Sequence, residues 1–167
     1  MALIKSISGI RGTIGGKPGN TLSPIDVVKF TAAYGSMLLK NNAGNKVVIG
    51  RDSRMSGEIV RNLVVSTLNA LGIDVVDLGL STTPTVEIAV KQENAAGGII
   101  LTASHNPKDW NALKLLNSEG EFIDAEAGKM VLEIAANEDF SFVPVEKLGT
   151  CSTEKTYLDE HIQAVLS

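Results

Sequence analysis

Cysteine is almost absent. Cys151 is the single one in 167 residues, so no internal disulfide can form, and the usage fits a reducing compartment. No apolar run approaches the ~20 residues needed to cross a bilayer. The opening stretch, MALIKSISGIRG, is too interrupted by Lys5, Gly9 and Arg11 to read as a signal peptide. Neither sign of charge dominates: 15 Lys and Arg against 19 Asp and Glu give a net charge of −4. That balance provides no basic footprint for nucleic acid or an anionic membrane surface. Two distant histidines and one cysteine make no zinc set. There is no internal repeat and no low-complexity tract. Collagen, coiled coil, membrane protein and disulfide scaffold are therefore excluded. What remains is ordinary for a folded domain, with 44% apolar and 20% charged residues. A chain of this length buries roughly 70% of its unfolded surface, enough for a core without cross-links. Length favours one domain with a short appendage.

Four short apolar runs predict strands: Val47–Ile49, Val75–Leu78, Gly98–Thr102 and Ala112–Leu116. The first three are continuous rather than alternating, as expected of strands covered on both faces. Helical spacing fills the gaps. One helix opens at Ser23 or Pro24 with Phe30, Tyr34 and Leu38 on a face, and another runs from Gly57 to Leu71, stopping at Gly72. A third starts near Thr83, whose hydroxyl would cap it ahead of Pro84. A fourth covers Asp124 to Ala136. Alternation of strand and helix predicts an α/β fold, a three-layer, mainly parallel four-stranded sheet between helices. The fourth strand follows the third too closely for a helical crossover and is expected to be antiparallel to it. The expected order is 2-1-3-4, and the loops after the first and third strands then diverge where open sheets bind ligands. Residues 137–152 read as a connector. Thr156–Leu166 resumes helical spacing and reaches the end without a Gly or Pro stop, which leads us to expect that the native chain is longer.

Chemistry concentrates in four places. Thr102-Ala103-Ser104-His105-Asn106-Pro107 directly follows the third strand, and Asn-Pro marks a turn. Ser104 there, beside His105, suits a nucleophile or phosphoryl acceptor. The alternative is that Ser104 and Asn106 only bond the backbone of a tight turn. Gly50-Arg51-Asp52-Ser53-Arg54-Met55-Ser56-Gly57 follows the first strand. Arg51 and Arg54 could form an anion site with helix N-terminal amides. The alternative, favoured for Asp52 and Arg54, is a structural pair holding the loop, with Ser56 capping the helix. Ser8-Gly9-Ile10-Arg11-Gly12 flanks an arginine with two glycines, which would let the chain approach a ligand closely. Lys114 alternates with Leu113 and Leu115 and so faces away from them. A lysine near a phosphate and other cations suits proton transfer, and a solvated strand charge is its plainer reading. His161 on the terminal helix is assigned no role.

Taken together, GIRG at 9–12, GRDSRMSG at 50–57, TASHNP at 102–107 and WNALK at 110–114 resemble the α-D-phosphohexomutase family. This family comprises phosphoglucomutases, phosphomannomutases and phosphoglucosamine mutases. The resemblance covers nearly the whole chain, with residues 1–150 similar to the family's first domain and 151–167 to a linker helix leading to later domains. It implies a phosphoserine at Ser104 that gives its phosphate to a hexose monophosphate. A bound hexose bisphosphate then returns its other phosphate, so that phosphate moves between O1 and O6. It further implies an active-site Arg11, a proton-transferring Lys114 and a His105 beside the serine. Asn106, Asn111, Arg51 and Arg54 would support the phosphate or the loop. The implied cofactor is Mg²⁺, with one ligand from phosphorylated Ser104 and the others from a later domain. The implied partners are a glucose, mannose or glucosamine phosphate and a hexose bisphosphate activator, without nucleic acid or membrane, in the cytoplasm.

The chain also departs from the family. Members have four domains, and no acidic cluster like DGDxDR occurs here. Ala112 stands where many members carry glycine, a change expected to be tolerated. The chain alone is therefore expected to lack mutase turnover. Competing readings are a non-catalytic sugar-phosphate or anion-binding module of the same fold, and a receiver-type domain phosphorylated on Asp52. The second lacks the acidic partners such a domain needs.

Overall fold

The structure is a computed structural model that describes residues 1–7 and 9–167. The described residues form seven strands and five α-helices. In chain order these are β1 (Leu3–Ser6), β2 (Gly9–Thr13), α1 (Pro24–Lys40), β3 (Lys46–Arg51), α2 (Gly57–Ala70), β4 (Asp74–Leu80) and α3 (Thr83–Gln92). There follow β5 (Gly97–Leu101), β6 (Trp110–Leu116), α4 (Ala125–Asn137), a 3₁₀ turn (Val145–Lys147), β7 (Cys151–Thr153) and α5 (Tyr157–Leu166). None of the described helices is long and apolar enough to cross a membrane.

One sheet runs through the molecule in the order β1-β2-β6-β5-β3-β4-β7. Its four inner strands β4, β3, β5 and β6 carry the expected order, with β6 antiparallel to β5. The expectation of four strands and a mainly parallel sheet is corrected. The antiparallel hairpin of β1 and β2 adds to β6, and β7 adds parallel to β4, giving a mixed sheet with three parallel and three antiparallel pairings. The hairpin escapes notice because Gly9, Arg11 and Gly12 interrupt any apolar alternation. β7 escapes because Cys151, Ser152 and Thr153 are all exposed and pair through backbone alone. The connector expected over 137–152 thus contains a 3₁₀ turn and the start of a strand.

Two cores hold the layers together. On one face Phe30, Tyr34, Val60, Val64, Leu68, Val131 and Ile134 from α1, α2 and α4 pack on Val47, Ile49, Ile99, Leu101, Leu113 and Leu115. On the other, Val86, Ala89 and Val90 of α3 and Tyr157 of α5 pack on Val48, Val76, Ile100 and Leu116. Each fully buried Val, Leu, Ile or Phe among them contributes about 1.5–3 kcal/mol. The Tyr34 hydroxyl, with no exposed surface, donates to the carbonyls of Leu116 (2.6 Å) and Gly98 (3.2 Å), pinning α1 to the β5–β6 pair. Burial pushes the Tyr34 phenol well above its ordinary pKa.

The second face is covered unevenly: α3 packs mainly on β3 and β5, and of β6 only its last residue, Leu116, joins this core. Two capping expectations need correction. Thr82, not Thr83, is the extended N-cap of α3 and accepts from the Thr85 amide at 3.3 Å. Ser56 precedes α2 but has helical backbone angles and no capping bond, because a side-chain cap needs an extended residue.

Candidate active site

The loops after β3 and β5 leave side by side from the carboxyl ends of two adjacent parallel strands in the middle of the sheet. Residues 102–109 form the second loop. The Thr102 hydroxyl accepts from the Ser104 amide at 3.1 Å, and the Asn106 amide donates to the Ala103 carbonyl at 3.0 Å. Ser104 has φ +55°, the left-handed region that a non-glycine residue rarely occupies. That conformation turns its exposed hydroxyl off the strand axis and toward β6, where the Lys114 ammonium donates to Oγ at 2.5 Å.

The loop is held from β3. Arg54 donates from Nη1 to the carbonyls of Pro107 (2.6 Å) and Trp110 (3.0 Å), and from Nη2 to those of Ser104 (2.9 Å) and Asn106 (2.8 Å). Its Nε meets Asp52 Oδ2 at 3.2 Å, and Asp52 Oδ1 also accepts from the Arg54 amide at 3.1 Å. These residues form an Arg–Asp pair that grips the neighbouring loop through its backbone.

Antiparallel register places the remaining cations. Lys114 lies opposite Gly9, and Ala112 opposite Arg11, so Arg11 and Lys114 share the uncovered face of the sheet. They line a cleft of about 330 Å³ with Ser6, Gly9, Ala112 and Phe122. Both glycines sit where neighbouring backbone packs closely. A Cβ on Gly9 would lie 2.5 Å from the Leu113 carbonyl, and one on Gly12 would lie 2.6 Å from that of Ala2. Burial holds the Lys114 ammonium below its ordinary pKa. The Asp52 carboxylate acts against that shift and the Arg11 guanidinium adds to it. An amine that gives up its proton more readily, bonded to a serine hydroxyl, can pass a proton to and from that oxygen.

The other candidates are dispersed around this centre. His105 is exposed on the loop, and no described residue bonds its ring. Asn111 is fully buried, donates to Ser56 Oγ at 2.9 Å and accepts from the Ala112 amide at 2.8 Å, so it ties β6 to the start of α2. Arg51 makes no hydrogen bond to the 102–109 loop. Its Nη1 donates to the Asp52 carbonyl at 3.2 Å, and it lines a separate cleft of about 360 Å³ with Ser81, Lys155 and Tyr157. Ser8 lies outside the described residues. His161 bonds Thr85 Oγ1 at 3.0 Å and helps dock α5 on α3. The hydroxyl of Thr102, which shapes the loop, had a detectable signal: a Thr two residues before Ser104 suits a local turn. No such signal marks the four carbonyls that Arg54 holds.

Among the described residues no group of three His, Cys, Asp or Glu is placed to hold a metal. Asp52, the acidic group in the β3 loop, is engaged by Arg54. The described residues therefore make no complete metal site by themselves.

Residues 3–142 match the family described as phosphoglucomutase/phosphomannomutase, alpha/beta/alpha domain I. A phosphoglucomutase/phosphomannomutase of Thermococcus kodakarensis is 34% identical over 154 residues, covering 89% of this chain and 34% of the relative. A phosphoglucosamine mutase of Francisella tularensis subsp. tularensis is 35% identical over 167 residues, covering 100% of this chain and 37% of the relative. The chain thus spans little more than a third of the length of these relatives. Among solved structures, a putative phosphomannomutase from Thermus thermophilus aligns with TM-score 0.77 and 29% identity, over 99% of this chain and 36% of that one. A phosphoglucomutase/phosphomannomutase family protein of Burkholderia thailandensis, 24% identical, shares the fold with TM-score 0.79, over 99% of this chain and 36% of that one.

Proposed function

The chain belongs to the phosphoglucomutase/phosphomannomutase family as its domain I, and on that premise we propose that Ser104 carries the phosphoryl group of a hexose-phosphate mutase. The observation that carries the reading is the left-handed Ser104 at the rim of β5, its Oγ 2.5 Å from Lys114 Nζ, with Arg11 on the same open face. Phosphoryl transfer asks a protein mainly to position groups and stabilise charge. Residues 1–150 supply the carrier and its cations.

In the forward half-reaction the phosphorus–Oγ bond of phosphorylated Ser104 breaks and a bond from phosphorus to a sugar hydroxyl oxygen forms. The hydroxyl proton passes to Lys114 as a neutral amine and from there to the freed Ser104 Oγ. Arg11 and protonated Lys114 balance the charge of the phosphoryl group, Asn106 and Arg54 keep the loop in place, and Asn111 fixes β6 against the start of α2. The hexose bisphosphate so formed returns its other phosphate by the reverse of these steps, and added bisphosphate would recharge an empty serine. Mg²⁺ would be held by phosphorylated Ser104 together with carboxylates from outside this chain, and would supply further charge neutralisation. The hexose phosphate is that of glucose, mannose or glucosamine, matching what the relatives are named for. The chain alone is inactive because it lacks those carboxylates. A single cysteine suits a cytoplasmic setting.

The test uses the full natural protein that carries this chain. Hexose 1-phosphate and 6-phosphate should interconvert, and Ser104→Ala should abolish the exchange while leaving the fold intact. Full exchange in Ser104→Ala would remove the reading.

A further inference from the structure

We propose that Arg54 is the positioning residue of the phosphoryl-carrying loop, holding Ser104 in its left-handed conformation through the backbone rather than binding phosphate. The inference rests on the reading that Ser104 carries the phosphoryl group. A guanidinium has five N–H donors, and here all five are engaged. Two go from Nη1 to Pro107 and Trp110, two from Nη2 to Ser104 and Asn106, and one from Nε to Asp52. None is left for a ligand. The side chain is only 12% exposed, and the Asp52 carboxylate offsets its charge where it sits.

The bonded carbonyls span residues 104 to 110, which is the turn that carries the serine to its place beside Lys114. A left-handed non-glycine residue persists only where its surroundings over-determine it. The Thr102 hydroxyl supplies one such restraint on the Ser104 amide, and Arg54 restrains the carbonyl on the residue's other side. The clamp comes from the β3 loop, 50 residues away in sequence. Ser104 is thereby set in place within this chain, before any substrate or later domain arrives. Lysine cannot substitute, because a single ammonium has neither the planar fork nor enough donors to reach four carbonyls and a carboxylate.

The test compares the wild-type chain with Arg54→Ala and Arg54→Lys by amide hydrogen exchange and by the backbone carbon shifts of Ser104. In both variants the Asn106 and Trp110 amides should exchange at least about tenfold faster while the β3 and β5 amides keep their protection. Guanidinium at non-denaturing millimolar concentration should partly restore Arg54→Ala and leave Arg54→Lys unchanged. In the full natural protein, Arg54→Lys should lower kcat about 100-fold with KM held within about threefold. Wild-type loop shifts in Arg54→Ala, or a wild-type kcat in Arg54→Lys, would overturn the proposal. Should Arg54→Ala fail to fold, Arg54→Lys decides alone. A loosened loop in a protein whose Ser104 never carries phosphate would instead overturn the functional reading and leave the clamp as structure only, so the two failures are distinguishable.

Discussion

Gly9→Ala tests whether the hairpin of β1 and β2 is built into the site or merely appended to it. The added Cβ would stand 2.5 Å from the Leu113 carbonyl and 3.3 Å from Lys114 Cα, against an ordinary contact of 3.4–4 Å. Both neighbours are backbone of β6 and cannot rotate away. β2 must therefore lift from β6 around the Gly9–Lys114 pairing, weakening the ladder at the position that orients Lys114. Overpacking of this kind costs about 1–3 kcal/mol. At about 2–4 °C per kcal/mol for a domain of this size, the melting temperature should fall by about 2–12 °C. Thermal unfolding followed by circular dichroism measures the shift. Hydrogen exchange of the β2 and β6 amides should show loosening confined to that pair. A melting temperature unchanged by Gly9→Ala would refute the close approach of β2 to β6 and, with it, the placement of Arg11 beside Lys114.

Tyr34→Phe leaves the carbonyls of Leu116 and Gly98 without their buried donor; it should cost about 1–3 kcal/mol, read as a lower urea midpoint with unchanged slope. Asp124→Ala removes the N-cap of α4, whose carboxylate accepts from the Ala127 amide at 2.8 Å; a loss of about 1 kcal/mol in the same denaturation is expected. Lys114 binds its proton less tightly folded than unfolded, so the unfolded chain holds more proton between the lowered value and 10.5. Stability from this residue therefore rises with pH across that window. Subtracting the melting curve of Lys114→Met from that of wild type between pH 8 and about 10.5 should reveal that rise; a flat difference would contradict the burial of the ammonium.

The inner sheet was legible because β3, β4 and β5 are covered on both faces and so read as continuous apolar runs. The outer strands were not. β2 carries glycines where β6 crowds it, and β7 is three exposed polar residues whose pairing with β4 leaves no mark on side-chain choice. Capping failed for a related reason. Thr82 and Thr83 are chemically the same, and only the extended backbone of Thr82 selects it. The hydroxyl of Ser56 is engaged by Asn111, 55 residues away. In the site, Ser104 stood out because Asn-Pro follows a buried strand, and Lys114 because it breaks the apolar rhythm of β6. The structural Asp52–Arg54 pair was legible; its grip on the 102–109 loop was hidden, since the partners there are carbonyls and every residue has one.

The most direct test of the account is the site of phosphate on the protein purified from its native cells, by intact-protein fragmentation mass spectrometry. The account predicts a phosphate confined to Ser104, stable in acid as a serine ester is. Phosphate on another residue, such as an acid-labile group on Asp52, or a Ser104 that stays unmodified after incubation with hexose bisphosphate and Mg²⁺, would contradict it.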